Sequence, residues 1–158
     1  MKYIFIVLGV VILWAIYFYN RFIALRNQAE EAWADIEVQL KRRYDLTPNL
    51  VNSVKGYATH ESSAFENVTN ARTMAMNATG PTGEHAQAEN MLTGAVKSIF
   101  AIAEAYPDLK ASENFKQLQD EISDTETKVA ASRQFYNTNV LDLNNNLETV
   151  PTAWIGLM

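Results

Sequence analysis

The sequence predicts an all-α protein, in which an N-terminal transmembrane helix is continuous with an antiparallel up-down bundle of about four long helices. The transmembrane helix is predicted because residues 3–19 carry no charge. The bundle is predicted because apolar residues recur at steps of three and four through the rest of the chain. The 158 residues include only 6 Gly and 4 Pro, and this shortage of turn residues favours few, long elements. We expect an anchor over residues 1–20, a helical-bundle domain over 21–150 and an apolar tail over 151–158.

The first element is the uncharged stretch of residues 3–19, which also lacks Pro. Its helical length is roughly 25 Å, close to the thickness of a bilayer core. Tyr and Trp side chains near both ends fit the two membrane interfaces. The stretch ends in bulky residues, whereas a signal peptide needs small residues before its cleavage site. We therefore expect an uncleaved anchor in the lipid bilayer. Its orientation stays open, because Lys and Arg are nearly balanced on the two sides.

The anchor is followed by an amphipathic helix without an intervening breaker, so we expect one rod of about 40 residues. Its apolar positions are Phe22, Leu25, Ala29, Trp33, Ile36, Leu40 and Tyr44. At Thr47 and Pro48 the sequence allows two interpretations. Thr47 caps a new helix with Pro48 in its first turn, or Pro48 kinks a helix that continues.

The next two helices are separated by the loop NATGPTG at residues 77–83. The second helix has its inward positions at Leu46, Leu50, Val54, Tyr57, Glu61, Phe65, Val68, Arg72 and Ala75. The third has Leu92, Ala95, Ile99, Ile102 and Tyr106. We expect the third helix to stop at Pro107 and His85, beside the loop, to be exposed.

The last helix is long, with Ser112 as its expected cap and Pro151 as its end. From Ile122 onward its inward positions alternate steps of four and three, the spacing of a coiled coil. These inward positions are Phe115, Leu118, Ile122, Glu126, Val129, Arg133, Tyr136, Val140, Leu143 and Leu147.

Four charged residues occupy inward positions where apolar residues are expected. They are Glu61, Arg72, Glu126 and Arg133. Burying an unpaired carboxylate costs several kcal/mol, so we predict that these residues form a buried polar network that pairs across helices and sets their register. Two alternatives stay open: a bistable or partner-facing polar layer, and a proton or ion site.

The composition narrows the classes of function. The formal net charge is −5, whereas nucleic-acid binding needs a positive surface. The absence of Cys excludes disulfides, thiolate zinc sites and a catalytic thiol. Neither His60 nor His85 lies in a di-iron or zinc-protease motif, and the sequence has no phosphate-binding Gly loop or nucleophile elbow. We expect no enzyme activity, no cofactor, no metal site and no nucleic-acid partner.

Several long strings together resemble one protein family, the LemA family. They are EEAWADIEVQLKRRYDLTPNLVNSVKGYATHE, NARTMA, AEAYPDLKASENFKQLQDEI and TETKVAASRQFYN. The likeness extends over nearly the whole chain from about residue 19. One departure concerns the C-terminal tail, which is usually longer in the family than the seven residues that follow Pro151 here.

The resemblance implies a bacterial protein with a single span in the cytoplasmic (inner) membrane, a helical bundle and no enzymatic activity. It also implies two hypotheses, because the family is associated with a membrane zinc metalloprotease of the HtpX type and one branch with magnetosome membrane formation. We expect a non-enzymatic scaffold that forms homo-oligomers or organises the membrane, or else an adaptor of such a protease. Family motif positions fall on Trp33, Leu40, Arg43, Pro48, Asn49, Leu50, Tyr57, Glu61, Arg72, Glu104, Tyr106, Pro107, Leu109, Phe115, Leu118, Glu126, Arg133, Tyr136 and Asn137.

Overall fold

The computed structural model describes residues 2–149 and contains five helices and no strand within that range. The helices are α1 Lys2–Lys55, α2 Ser62–Asn77, α3 Gly83–Ala103, α4 Pro107–Ala111 and α5 Glu113–Glu148. The predicted fold class is confirmed: an apolar N-terminal helix continues into a helical bundle. The predicted division at residues 20 and 150 stays a prediction. Pro151 and the tail at 151–158 lie outside the described residues.

Helix α1 is 54 residues long, longer than the rod of about 40 residues expected from amphipathic spacing alone. Within residues 2–149 it is the one helix long and apolar enough to cross a membrane, and its most apolar segment is not buried inside the protein. A core helix of a soluble protein would bury that segment. The apolar side chains of this segment of α1 are exposed instead, as expected for side chains that contact lipid.

The two interpretations at Pro48 are resolved, because α1 continues through Pro48 to Lys55. The chain then turns over residues 56–61, and α2 begins at Ser62. The predicted second helix is therefore wrong in its bounds. Its first inward positions, up to Val54, belong to α1, and those from Phe65 onward belong to α2.

The loop predicted between the second and third helices is confirmed, since α2 ends at Asn77 and α3 begins at Gly83. Gly80 in this loop has φ 71°, a backbone conformation that residues with a Cβ atom rarely adopt. Pro107 was predicted to end the third helix, but α3 ends earlier and Pro107 begins α4. Proline is favoured in a first helical turn, where its missing N–H has no helical partner to lose.

The described chain forms two compact units. The first contains residues 2–36 and 131–149, where α1 and α5 run antiparallel. Two contacts show their direction: the rings of Trp33 and Tyr136 are 5.4 Å apart, and Asn139 Nδ2 donates to the Gln28 carbonyl at 3.4 Å.

The second unit contains residues 37–130 and includes most of the buried apolar residues of the described chain. Its most deeply buried apolar side chains come from all five helices: Leu40, Leu50, Val54, Val68, Leu92, Val96, Ile99, Leu109 and Ile122. Most of these residues recur at steps of three or four along their helix, as expected for packing of one helix face.

Candidate functional site

The most deeply buried charges of the second unit surround the guanidinium group of Arg43 on α1. Only 3% of Arg43 is exposed. One terminal nitrogen donates to Thr93 Oγ1 at 3.0 Å and to Glu126 Oε1 at 2.7 Å. The other donates to Glu89 Oε2 at 3.4 Å. Arg43 thus joins α1, α3 and α5, and we call Arg43, Tyr44, Glu89, Thr93 and Glu126 the Arg43 cluster.

Glu89 on α3 is the buried acid of this cluster, with 1% exposure. Its Oε1 accepts a short hydrogen bond from the Tyr44 hydroxyl, and its Oε2 accepts from Arg43. A carboxylate at this depth requires such partners, because water is not available to solvate it. The second acid, Glu126, has 35% of its side chain exposed. The carboxyl group of Glu126 is therefore accessible to water, whereas that of Glu89 is not.

His85 lies one helical turn before Glu89, and 6% of it is exposed. The prediction that it is exposed was wrong. Thr82 caps α3 by accepting a hydrogen bond from the His85 backbone N–H, so His85 falls in the first turn on the inward face. Its Nδ1 lies 2.9 Å from the Gly80 carbonyl and must carry a proton, because a carbonyl only accepts. Its Nε2 is 4.0 Å from Glu89 Oε1.

A second polar contact joins α2 to α1 at Pro48. Proline has no backbone N–H, so the Tyr44 carbonyl, four residues earlier, loses its helical donor. The Nε of Arg72 on α2 donates to this carbonyl at 2.7 Å. Arg72 therefore supplies from another helix the hydrogen bond that Pro48 removes, and α1 continues through the proline with its carbonyl satisfied.

The four residues of the predicted polar network lie at different places, all half-buried. Glu126 belongs to the Arg43 cluster through its contact with Arg43, and Arg72 borders the cluster through its bond to the carbonyl of Tyr44. Glu61 precedes α2 and makes no side-chain capping bond. Arg133 lies on the part of α5 that belongs to the first unit. Pairing among these four residues stays a prediction.

Sequence reasoning did not assign Arg43 and Glu89 to the network. Arg43 follows two other cations, Lys41 and Arg42, in a run that is typical of a solvated surface. It nevertheless lies three residues after the inward Leu40, and Glu89 lies three before the inward Leu92. This spacing was one available signal, since residues three apart share a helix face. For Arg43 its place among the family motif positions was another.

The chemistry that this arrangement allows is ion pairing and hydrogen bonding across helices. The Arg43 cluster contains two carboxylates, a guanidinium group, a phenol and a hydroxyl group. In residues 2–149, no group of three or more His, Asp or Glu side chains is placed to hold a metal ion. The cluster forms a largely buried polar layer that joins α1, α3 and α5.

The sequence is similar to one protein family and to several curated proteins. The LemA family model matches residues 32–158. The magnetosome protein MamQ of Magnetospirillum gryphiswaldense is 22% identical over 165 residues, covering 89% of this chain and 61% of its own length. Protein LemA of Metamycoplasma hominis is 28% identical over 141 residues, covering 87% of this chain and 63% of its own. The chain thus spans less than two thirds of the length of these curated relatives.

Proposed function

This chain belongs to the LemA family, and on that premise we propose that it is a non-enzymatic, membrane-tethered scaffold that self-assembles or organises the membrane. None of the relatives described above carries an enzyme name. One of them, MamQ, is named as a magnetosome protein.

The observation that carries the proposal is the continuity of α1. This helix includes the candidate membrane span and extends to Lys55. After residue 20 it continues for about 50 Å at 1.5 Å per residue. A scaffold must hold its assembly domain in a defined relation to the bilayer, and a continuous helix does this better than a flexible linker.

The polar layer supports the same proposal. Buried charges contribute little net stability compared with apolar residues of similar volume, and their best-attested use is to specify register and partners. Arg43 contacts residues of α3 and α5 at once, so sliding α1 by one turn would leave buried charges without partners. A defined helix register is what a repeating assembly needs.

The test is the mass of the full-length protein purified in a mild detergent, measured by light scattering, together with mass spectrometry of whatever co-purifies. If the protein is a scaffold, we expect it to form large homo-oligomers without other subunits. The alternative is an adaptor of a membrane zinc metalloprotease of the HtpX type. A monomer that co-purifies with such a protease after crosslinking would favour that alternative and contradict the scaffold.

The role of helix continuity is tested by a proline placed in α1 between the span and the bundle. Ala24 is exposed, so Ala24→Pro interrupts the helix without removing a core contact, and Ala24→Ser is the matched control. We expect Ala24→Pro to disperse the homo-oligomers and Ala24→Ser to leave them intact. Unchanged oligomers in both variants would show that assembly does not depend on a continuous helix.

A further inference from the structure

A groove lies in the second unit between the C-terminal part of α1 and α2. Its cavity volume is about 450 Å³, within the range of small-molecule sites, about 300–1,000 Å³. Pro48, Val51, Phe65 and Val68 line it with apolar atoms. Phe65 and Val68 are buried residues of the core, so this apolar lining is held by the fold. We call this cavity the α1–α2 groove.

Three charged side chains line the α1–α2 groove: Lys55, Glu66 and Arg72. Two cations and one acid leave a net charge of +1. In the part of the chain that the structure describes, neither Lys55 nor Glu66 forms an ion pair, and Arg72 uses only Nε, in its bond to Tyr44. The two terminal nitrogens of Arg72 are therefore available to a ligand. That bond to Tyr44 also fixes where the guanidinium group lies.

We propose that the α1–α2 groove binds a small monocarboxylate with a compact apolar body. The carboxylate accepts hydrogen bonds from the terminal nitrogens of Arg72, a pairing that guanidinium geometry favours. The apolar body packs against Pro48, Phe65 and Val68. A single negative charge balances the net charge of the groove, whereas a doubly charged phosphate would leave a net charge of −1 there.

The first experiment titrates full-length protein in lipid nanodiscs with 4-phenylbutyrate, followed by saturation-transfer NMR with empty nanodiscs subtracted. The neutral 4-phenylbutanamide and the cationic 4-phenylbutylamine have nearly the same shape and serve as controls for charge. We expect the carboxylate to bind at least about tenfold more tightly than the amide, because the amide forms no charge-assisted bond with Arg72. Equal affinities, tighter binding of the amine, or no carboxylate binding at about 10 mM would each overturn the proposal.

The second experiment locates the site with substitutions. Arg72→Gln should weaken carboxylate binding about tenfold, and Lys97→Gln, an exposed cation on α3 that does not line the groove, should not change it. Because Arg72 also bonds Tyr44, Asn52→Trp is a separate test. Asn52 is exposed and lines the groove, so a bulky side chain there should block binding while circular dichroism stays unchanged. Full carboxylate binding by Asn52→Trp would refute the assigned site.

Discussion

The bond between Arg72 and the Tyr44 carbonyl gives a prediction that depends on Pro48. If Arg72 replaces the helical donor that the proline lacks, then removing Arg72 should be costly only while the proline is present. In Pro48→Ala, the restored N–H of residue 48 donates to the Tyr44 carbonyl within α1. We therefore predict that Arg72→Met is strongly destabilising in the natural sequence and weakly destabilising in the Pro48→Ala background.

The size of this difference follows from the geometry. A hydrogen bond with a charged donor contributes about 1.5–3 kcal/mol, and an unsatisfied buried carbonyl costs about 1–3 kcal/mol. The donor to acceptor distance is 2.7 Å, but Arg72 is half-buried, so water competes for part of the bond. We expect Arg72→Met to cost about 2 kcal/mol with Pro48 present. Met keeps most of the packing of the Arg stem. The cost of Arg72→Met should therefore be about 1–1.5 kcal/mol lower in the Pro48→Ala background than in the natural sequence.

The assay is chemical unfolding of the full-length protein and its variants in one mild detergent, followed by far-ultraviolet circular dichroism. Arg42→Met is the matched control. Arg42 is exposed and lies 3.9 Å from Asp124 in a surface ion pair, which contributes little. Its loss should therefore change the free energy of unfolding by less than about 0.5 kcal/mol in both backgrounds. If Arg72→Met costs the same in the Pro48→Ala background as in the natural sequence, then Arg72 does not replace the helical donor that Pro48 lacks.

Three further predictions concern the polar residues of the two units. Glu89→Gln should lower the free energy of unfolding by about 3 kcal/mol and Glu126→Gln by about 1 kcal/mol. Glu126 lies closer to Arg43 than Glu89 does, but Glu89 is the more deeply buried, and burial decides the cost of a broken ion pair. The reverse order of unfolding free energies would contradict this. Glu126→Ala should lower the melting temperature more than Glu113→Ala on the exposed start of α5, and equal values would show that Glu126 is not an inward position. Asn139→Leu should raise the melting temperature, because Asn139 is only 9% exposed and its bond to the Gln28 carbonyl is long at 3.4 Å. The Gln28 carbonyl keeps its helical donor in this variant. A lower melting temperature would show that the bond stabilises the first unit.

Much of the fold could be predicted because its elements are long and their apolar residues keep a regular spacing. On α5, Ile122 and Val129 are buried and Tyr136, Val140 and Leu143 are half-buried, as their spacing indicates. The helix boundaries were less predictable. The inward positions keep the same spacing through residues 56–61, where the chain turns, so periodicity alone did not reveal the break between α1 and α2.

The path of the chain at Pro48 was not decidable from local sequence. A proline inside a helix removes a hydrogen bond and costs about 3 kcal/mol, which favours a new helix start. The compensating donor, Arg72, is distant in sequence and meets the Tyr44 carbonyl only after α2 packs against α1. Pro48 is therefore tolerated in the middle of α1 because Arg72 contacts the Tyr44 carbonyl, and the sequence around Pro48 does not reveal this tertiary contact.

The candidate site was predictable only in part, for a similar reason. The spacing identified Glu126 and Arg72 as charges on inward faces, and each contacts a residue of the Arg43 cluster. It did not identify Arg43 as the partner, because a run of three cations resembles an exposed surface. Which cation of such a run is buried depends on the helices that pack against it. Here these are α3 and α5, which supply Glu89 and Glu126.

Electron microscopy of the protein reconstituted in lipid is the sharpest test of whether it is a membrane-tethered scaffold. A scaffold should give particles containing many copies, with the helical bundles outside the bilayer and joined to it by continuous helices. Single copies scattered in the bilayer, without contacts between bundles at any protein density, would contradict it.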